Sequence, residues 1–380
     1  MVFAMVRSTT LSRYYVALGA VVVAFLVYCY IFLPLSNGLL YGDFSVFFAA
    51  AQRLTQNLPL YEVGPMAYFN PPYFALALTP LTALPFEVVR RLWTVVAYLC
   101  TAGACYLLLD SGRATPARRF WLWATLLSLP VFLANMHLGQ NSFLVLLGYA
   151  AWYAARQRNR EALAGMLLCP ALVKPQLVIV PVLLMLFTRR WRELMGFAGT
   201  SIALAALSVI VVGLDGVKGY LAVARDVADW VNLEHWYRTD MHTPNSLIHE
   251  FLAGYWADGL VMLVGAAVIT AVYWRTRRGE MTLGHEASLA VMGGLLLAPY
   301  AHTHDLIVLA VPWLLLGPTA HGLRLAVLAL LYVAILPAMI VGAVGGSGQV
   351  ITVSLHAVLF ALLVAGDRRE RGLAQQTSRE

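Results

Sequence analysis

Two charged side chains stand out from the largely apolar sequence around them, Asp43 and Lys174. Asp43 lies just past the first long apolar run, where a polar and aromatic-rich segment begins. A carboxylate held at the end of a hydrophobic span can act as a general base, although an ordinary loop aspartate would look the same in the sequence. Lys174 lies within an apolar run, where a charge costs roughly 2.5 to 3.5 kcal/mol on insertion scales. Both residues are therefore candidates for chemistry.

Pro175 directly follows Lys174 and is expected to break the helix there. The exposed backbone groups of such a break are tolerated only beside protein or a watery cavity. An ammonium group at this position can pair with a phosphate as a point charge. The alternative is a lysine that snorkels or that forms a structural ion pair.

A second polar group is formed by His302, His304 and Asp305, which follow one another before an apolar run. Histidine titrates near neutral pH, so it can donate to a phosphate oxygen or orient a carboxylate. The pattern also permits a metal site, but no second cluster in the sequence has convincing ligand spacing, and we expect no metal. Asp305 can equally cap the helix that it precedes.

Weaker signals come from two further polar segments. Residues 235–246 are dense in aromatic and polar groups and include His242 and Asn245, which suits a sugar ring but also the aromatic belt of any membrane protein. The amides of Gln140 and Asn141, after Gly139, could hold sugar hydroxyls or cap a helix.

The elements that must position these residues are membrane helices. The chain has 380 residues, of which 61% are hydrophobic and 12% charged, which excludes a soluble protein. Runs long enough to cross the bilayer recur throughout, and the first, about residues 14–35, is read as a retained anchor instead of a cleaved signal. The four cysteines lie inside apolar runs, so no disulfide framework is expected.

The net charge of +7 does not indicate a nucleic-acid partner. The arginines cluster in short loops between apolar runs, as the positive-inside rule describes, and report orientation. The sequence therefore predicts an all-α polytopic membrane protein with about 12 transmembrane helices and both termini in the cytoplasm. Three hairpin tips, at residues 137–142, 173–176 and 301–305, then share the non-cytoplasmic side with Asp43.

One transmembrane domain is expected over residues 1–366, with a short cytoplasmic tail at 367–380. It has a first outer loop at 36–88, which carries juxtamembrane helices, and a second at 214–258. Within the first loop, residues 71–85 are read as a juxtamembrane or re-entrant helix, followed by a span from about Arg91 to Leu109.

The polar and aromatic motifs, taken in order, resemble glycosyltransferase family 87, a branch of the GT-C superfamily of polyprenyl-phosphate-sugar-dependent transferases. The matching pieces are Asp43, Phe47-Phe48-Ala49-Ala50, Leu60-Tyr61, Tyr68-Phe69-Asn70-Pro71-Pro72-Tyr73-Phe74, Pro80-Leu81, Leu84-Pro85, Gly139-Gln140-Asn141, Leu172-Val173-Lys174-Pro175, Asn245-Ser246-Leu247, and Pro299 with His304. Two details differ from the family pattern. His302 stands where an aromatic residue is usual. Asn245 and Ser246 are adjacent, whereas the family usually has the order asparagine-glutamine-serine.

The resemblance implies a GT-C-type fold and an inverting transfer, in which a sugar moves from polyprenyl phosphate to a glycolipid or glycan acceptor. It implies that Asp43 is the catalytic base, that His304 is a second catalytic residue, and that Lys174 binds the donor phosphate. His302 is a further candidate for the donor phosphate, and which of the two histidines acts stays open. Sugar or acceptor contacts are expected from Tyr41, Tyr61, Gln140, Asn141, His242 and Asn245. Mannose is the expected sugar, without a metal or other cofactor.

The expected location is the inner membrane of a bacterium, in contact with membrane lipids and with the site on the periplasmic or extracellular side. Two other functions compete with this interpretation. A transporter also places charges in broken helices, although no internal repeat is evident and the polar groups gather at one face. A non-catalytic scaffold would use Asp43 and Lys174 merely to pair with each other.

Overall fold

The computed structural model describes residues 42–61, 67–109, 130–233, 241–279, 281–316, 322–343 and 347–366. These residues are mainly helical, and none of them belongs to a β-strand. Three predicted features, namely the first apolar run at 14–35, Tyr41 and the tail at 367–380, lie outside the described residues. The all-α prediction is confirmed for the part of the chain that is described.

The first half of the described chain contains seven α-helices. They are α1 (Gly42–Thr55), α2 (Pro72–Leu78), α3 (Phe86–Leu109), α4 (Pro130–Leu138), α5 (Ser142–Gln157), α6 (Glu161–Leu168) and α7 (Ile179–Phe187). Short 3₁₀ helices at Thr79–Ala83, Cys169–Val173 and Pro175–Val178 connect some of them.

The second half contains seven more α-helices. They are α8 (Trp191–Leu233), α9 (Pro244–Phe251), α10 (Tyr255–Arg277), α11 (Leu283–Leu297), α12 (Ala310–Leu316), α13 (Gly322–Ala343) and α14 (Gln349–Ala365). A 3₁₀ helix at Thr303–Leu309 leads into α12. Gly213 interrupts α8 with a positive φ of 68°, so the helix bends there and continues into the segment that was predicted as the second outer loop.

Three helices among the described residues are long and apolar enough to cross a membrane. They span Phe86–Leu109, Trp191–Arg225 and Tyr255–Arg277, and six further apolar helices are shorter. These helices support a membrane protein, while the count of 12 spans stays a prediction.

Two local helix predictions can be compared with the structure. The run between Arg160 and Arg189 is broken at Lys174 into two apolar arms, Glu161–Val173 and Pro175–Phe187. Residues 71–85 form the short helix α2 and a 3₁₀ turn, and α3 then begins at Phe86, earlier than the predicted start near Arg91. The start moves forward because the backbone N–H groups of Val88 and Val89 already bond to the carbonyl of Pro85.

The core is organised around α5, which packs against α3 on one side and α6 on the other. Its side chains Tyr149 and Trp152 are almost fully buried. Helix α6 crosses α8 very closely, since a Cβ at Gly165 would lie 1.9 Å from the carbonyl oxygen of Glu193. Small residues at such crossings let membrane helices pack backbone to backbone. Helix α5 packs among these helices, and its first residue, Ser142, contacts the polar residues of the candidate site.

Candidate active site

Asp43 lies in the first turn of α1 and faces the turn between α4 and α5. Two glycines allow this contact. Gly42 has a φ of +22°, and a Cβ there would lie 2.6 Å from the carbonyl oxygen of Leu138, while a Cβ at Gly139, with a φ of +64°, would lie 2.5 Å from the Cβ of Phe44. Larger residues would push the two segments apart, so the glycines position Asp43 against the turn.

The same turn is held from the side of α3. The indole N–H of Trp93 donates a hydrogen bond of 2.8 Å to the carbonyl of Gly139. The Trp93 ring also stacks on Phe44, with 5.4 Å between the ring centroids. Phe44 is in turn the neighbour of Asp43, so one indole ties the start of α1 to the α4–α5 turn.

Gln140, in this turn, connects Asp43 to Lys174. Its side-chain N–H donates to Oδ2 of Asp43, and its carbonyl oxygen accepts from the ammonium of Lys174 at 3.3 Å. Both ends of the amide are therefore used, which sets its orientation. The scaffold alternative required Asp43 and Lys174 to pair directly with each other. Instead, both side chains bond to the side-chain amide of Gln140.

Asp305 is the ion-pair partner of Lys174. Its Oδ1 accepts from the Lys174 ammonium and from the Ser142 hydroxyl, the latter at 2.6 Å. Its Oδ2 accepts from the backbone N–H of His302 at 3.1 Å, in a capping box at the start of the 3₁₀ helix Thr303–Leu309. The carboxylate is only 1% exposed, so the nearby ammonium is needed to keep it charged.

The two histidines lie beside this ion pair. The rings of His302 and His304 stack with 5.3 Å between their centroids, and Nε2 of His304 is 3.7 Å from Oδ1 of Asp305. His304 is buried and His302 half-buried. A cation and two imidazoles thus occupy one side of Gln140, and the carboxylate of Asp43 occupies the other.

This arrangement can do acid–base chemistry with charge stabilisation. Asp43 can accept a proton, and Lys174 with a histidine can stabilise a negative charge that develops nearby. Within the described ranges, no group of three or more His, Cys, Asp or Glu side chains is placed to hold a metal ion.

The comparison with protein families identifies the chain. The model of glycosyltransferase family 87 matches residues 68–299, more than half of the chain. The chain belongs to glycosyltransferase family 87. It is therefore a membrane glycosyltransferase, which uses a sugar donor and an acceptor, and the transporter interpretation is set aside. No curated protein and no solved structure matched it.

The match to family 87 covers part of the site only. Gln140 and Lys174 lie inside residues 68–299, whereas Asp43 precedes the match and His302 to Asp305 follow it. Asp43 and the histidines are candidates because the fold brings them next to the two matched residues.

Three other predicted contact residues of this family-87 chain lie around the site, while Tyr41 lies outside the described residues. Asn141 is fully buried and donates to Oδ1 of Asn70 at 2.7 Å, and Tyr61 donates to the backbone carbonyl of Asn70 at 2.8 Å. Asn245 is half-buried and donates to the carbonyl of Pro299 at 2.8 Å. Asn141 is thus a support for the turn, and Tyr61 and Asn245 remain open to contact with a ligand.

His242 takes a position that does not suit direct contact with a sugar. Its side chain is 1% exposed, and its two ring nitrogens lie 2.7 Å from the hydroxyl of Thr352 and 2.8 Å from that of Thr303. The imidazole joins α14 to the 3₁₀ helix that carries His304 and Asp305. The sugar contact expected of His242 stays a prediction, and both polar atoms of its ring are enclosed and engaged by protein hydroxyls.

Sequence reasoning missed two partners in the site. The sequence places Ser142 only at a hairpin tip and offers Asp305 only as a possible cap or metal ligand, whereas the structure joins both to the site. The signal for Asp305 was the cost of burying Lys174, which calls for a nearby carboxylate. The cost of burial predicts that Lys174 has a carboxylate partner, but it does not identify which carboxylate that is.

Proposed function

We propose that this glycosyltransferase moves a sugar from polyprenyl phosphate to a hydroxyl group of a glycolipid or glycan, with inversion, on the non-cytoplasmic face of a bacterial inner membrane. Mannose is the proposed sugar, because the family resemblance suggests it. The observation that carries the proposal is the continuous contact from Asp43 through Gln140 to Lys174 and Asp305. It places a proton acceptor and a cation on opposite ends of one amide.

In the proposed reaction, Asp43 takes the proton from the acceptor hydroxyl while that oxygen attacks the anomeric carbon. The new glycosidic bond forms as the bond between the anomeric carbon and the phosphate oxygen breaks, and the electron pair leaves with the phosphate. Because attack and departure occur on opposite sides of the carbon, the base and the phosphate-binding group must be separated. Gln140 supplies that separation between Asp43 and Lys174.

Lys174 is suited to the phosphate side. An ammonium group carries three N–H donors, and in the described residues Gln140 and Asp305 take two of them. The third donor can bind a phosphate oxygen without disrupting the ion pair with Asp305. His304 and His302, which lie beside Asp305, can add a hydrogen bond to the leaving phosphate. An ammonium and a histidine can stabilise this leaving group, so the proposed reaction uses no metal and no other cofactor.

Sugar binding is proposed for Tyr61, Gln140 and Asn245, which retain surface near the site. Burial raises the pKa of the Tyr61 phenol, so this side chain acts as a neutral hydrogen-bonding group and not as a base. Its position beside Asn70 keeps it close to the α4–α5 turn. Tyr41 belongs to the same proposal from the sequence alone.

The test compares Asp43→Asn with the same substitution at an exposed aspartate, Asp215→Asn. The purified full chain is placed in lipid nanodiscs and given polyprenyl-phosphate-[14C]mannose with a membrane lipid extract. Asp215 is the control, because its side chain is 94% exposed and forms only a surface pair with Lys218. We expect Asp215→Asn to transfer label like the wild type and Asp43→Asn to lose about 100- to 10,000-fold in rate, the usual contribution of a general base.

Two results would contradict parts of the proposal. Equal transfer by wild type and Asp43→Asn would remove Asp43 as the base while keeping the enzyme class. No transfer by a folded wild type from the mannosyl donor, but transfer from another polyprenyl-phosphate sugar, would remove mannose and keep the mechanism.

A further inference from the structure

Four tyrosines from distant parts of the chain meet beside the candidate site. They are Tyr61 after α1, Tyr73 in α2, Tyr220 in α8 beyond its bend, and Tyr300 ahead of the last 3₁₀ helix. Each is half-buried, so each keeps part of its surface exposed. We call this group the tyrosine cage.

The cage is assembled by close packing of α8 on the loop after α1. The rings of Tyr61 and Tyr220 lie 5.7 Å apart between centroids at an angle of 45°. Gly219 permits the approach, since a Cβ there would lie 3.3 Å from the Cβ of Tyr61. Tyr61 and Tyr300 also pack against the same small apolar cluster, formed by Val223 and Met241.

The hydroxyl groups of the other three tyrosines share one electrostatic neighbour, Tyr220. Those of Tyr61, Tyr73 and Tyr300 each lie within electrostatic range of the Tyr220 phenol. The Tyr73 hydroxyl is buried and has no hydrogen-bond partner among the residues that the structure describes. A buried hydroxyl without a partner is costly, so a bound polar ligand that supplied the missing hydrogen bond would gain affinity there.

The cage adjoins the reacting groups on two sides. Tyr300 is hydrogen-bonded to Gln176, two residues after Lys174, and lies within electrostatic range of Asp305. Tyr61 bonds to the carbonyl of Asn70. Asn70 in turn accepts a hydrogen bond from Asn141, the neighbour of Gln140, so the cage adjoins Asp305 on one side and the turn that carries Gln140 on the other.

The chemistry of the cage suits a neutral ligand rich in hydroxyl groups. Burial raises the pKa of the Tyr61, Tyr73 and Tyr300 phenols, so these groups stay uncharged. Aromatic rings offer flat apolar faces, and their hydroxyls both donate and accept hydrogen bonds. A lipid-facing aromatic belt would instead turn its rings outward, whereas Tyr61 packs on Tyr220, and Tyr61 and Tyr300 pack against Val223 and Met241.

We propose that the tyrosine cage binds a pyranose ring of one of the two substrates, with Tyr220 as its central contact. This inference rests on the proposed transfer of a sugar and adds the residues that recognise it. The same ring chemistry occurs in the donor sugar and in the acceptor glycan, and the kinetic experiment separates these two sources.

The experiment uses the full chain in nanodiscs with Tyr220→Ala and Tyr220→Phe. Tyr106→Ala is the control, because Tyr106 lies on α3 and is 60% exposed. Losing the ring and hydroxyl of Tyr220 should raise KM about 10- to 100-fold for one substrate, while kcat changes little. Tyr220→Phe keeps the ring and should raise the same KM only about two- to tenfold. A rise in KM for the lipid donor assigns the cage to the donor sugar, and a rise for the glycolipid assigns it to the acceptor.

A binding measurement separates this inference from the transferase proposal. Saturation-transfer NMR with methyl α-mannopyranoside and other neutral methyl pyranosides is recorded on the same variants and on Asp43→Asn. We expect sugar signals with wild type, Asp43→Asn and Tyr106→Ala, and loss of signal with Tyr220→Ala. Tyr220-dependent binding without any transfer would support the cage and contradict the transferase proposal. Transfer with unchanged KM values and sugar binding in both folded Tyr220 variants would overturn the cage alone.

Discussion

The two ends of helix α5 carry two different kinds of charged cluster. Ser142, at its start, contacts the Asp43–Gln140–Lys174–Asp305 network, and Arg156, one residue before its end, contacts Glu193 and Glu286. At about 1.5 Å per residue, the ends are about 21 Å apart. Among the described residues, the first cluster has two carboxylates and one ammonium, with two imidazoles beside them.

The second group, the arginine–glutamate cluster, consists of Arg156, Arg190, Glu193 and Glu286. Arg156 and Arg190 contact Oε2 of Glu193 at 2.6 and 3.1 Å, and both also contact Glu286. The indole of Trp152 donates to Glu193 as well. Two positive and two negative side chains thereby enclose one another.

The difference between the clusters indicates different roles. The arginine–glutamate cluster ties α5, α8 and α11 together with matched charges and forked guanidinium contacts, as a structural cluster does. In the network at Asp43, one amide joins the two ends, the described residues supply more carboxylates than ammonium groups, and half-buried residues lie alongside. Clusters of titratable groups of this kind are concentrated at functional sites, so this network is the better candidate for a site that binds substrate.

The largest expected effect concerns the two lysines of the chain, which form two contrasting pairs. Lys174 pairs with Asp305, 131 positions away in the chain, whereas Lys218 forms a surface pair with Asp215 on α8. We expect Lys174→Met to reduce sugar transfer about 100- to 1,000-fold, since one charge-stabilising group is typically worth that much. Transfer from the labelled lipid donor measures it.

Lys218→Met is the matched control, because its side chain is 75% exposed, and its transfer rate should stay within about twofold of wild type, as expected for a surface pair. A Lys174→Met protein with normal transfer would show that the ammonium at the site has no part in the reaction.

A substitution in the arginine–glutamate cluster should lower the stability of the protein and leave its transfer activity nearly unchanged. Glu193 is fully buried, so Glu193→Gln leaves two guanidinium groups with one carboxylate. Breaking a buried ion pair costs about 3 to 5 kcal/mol, which predicts a clearly lower midpoint of thermal unfolding in detergent. The transfer rate per folded molecule should stay close to that of the wild type.

The control for this change is Glu161→Gln, at an exposed position in the first turn of α6. It should leave the unfolding midpoint nearly unchanged. If Glu193→Gln abolished transfer at unchanged stability, the structural role of the arginine–glutamate cluster would be wrong.

The smallest effect is expected from backbone geometry. Gly139→Ala would place a Cβ against Phe44 at a positive φ, which should cost about 1 to 3 kcal/mol and separate Gln140 from Asp43. A shift of this kind should lower kcat about tenfold, because small misplacements of catalytic groups are expensive. Unfolding midpoints and transfer rates are measured on the same preparations.

Gly199→Ala serves for comparison, since that glycine lies within α8 and a Cβ there would meet no atom within 4 Å. It should be neutral or slightly stabilising, by up to about 1 kcal/mol. Equal behaviour of the two variants would show that the contact between α1 and the α4–α5 turn does not control the position of Asp43.

Much of this architecture could be predicted from local sequence signals. Long apolar runs indicated membrane helices, Pro175 indicated the break at Lys174, and the polar residues near Gly139 indicated a turn between two helices. The ordered motifs also pointed to the family that the comparison then showed. These signals work because helix propensity, chain reversal and burial of apolar runs depend on residues close together in the chain.

Only the tertiary structure decided which polar groups meet. The sequence alone did not identify Asp305 as the partner of Lys174, the enclosure of His242, the pairing of Glu193 with two arginines, or the meeting of four tyrosines at α8. The partner of a buried charge is set by how distant helices pack, and several carboxylates in the sequence could have met the same electrostatic need. Local patterns therefore determined a helical membrane protein with reactive residues at its turns, and long-range packing decided how those residues form a site.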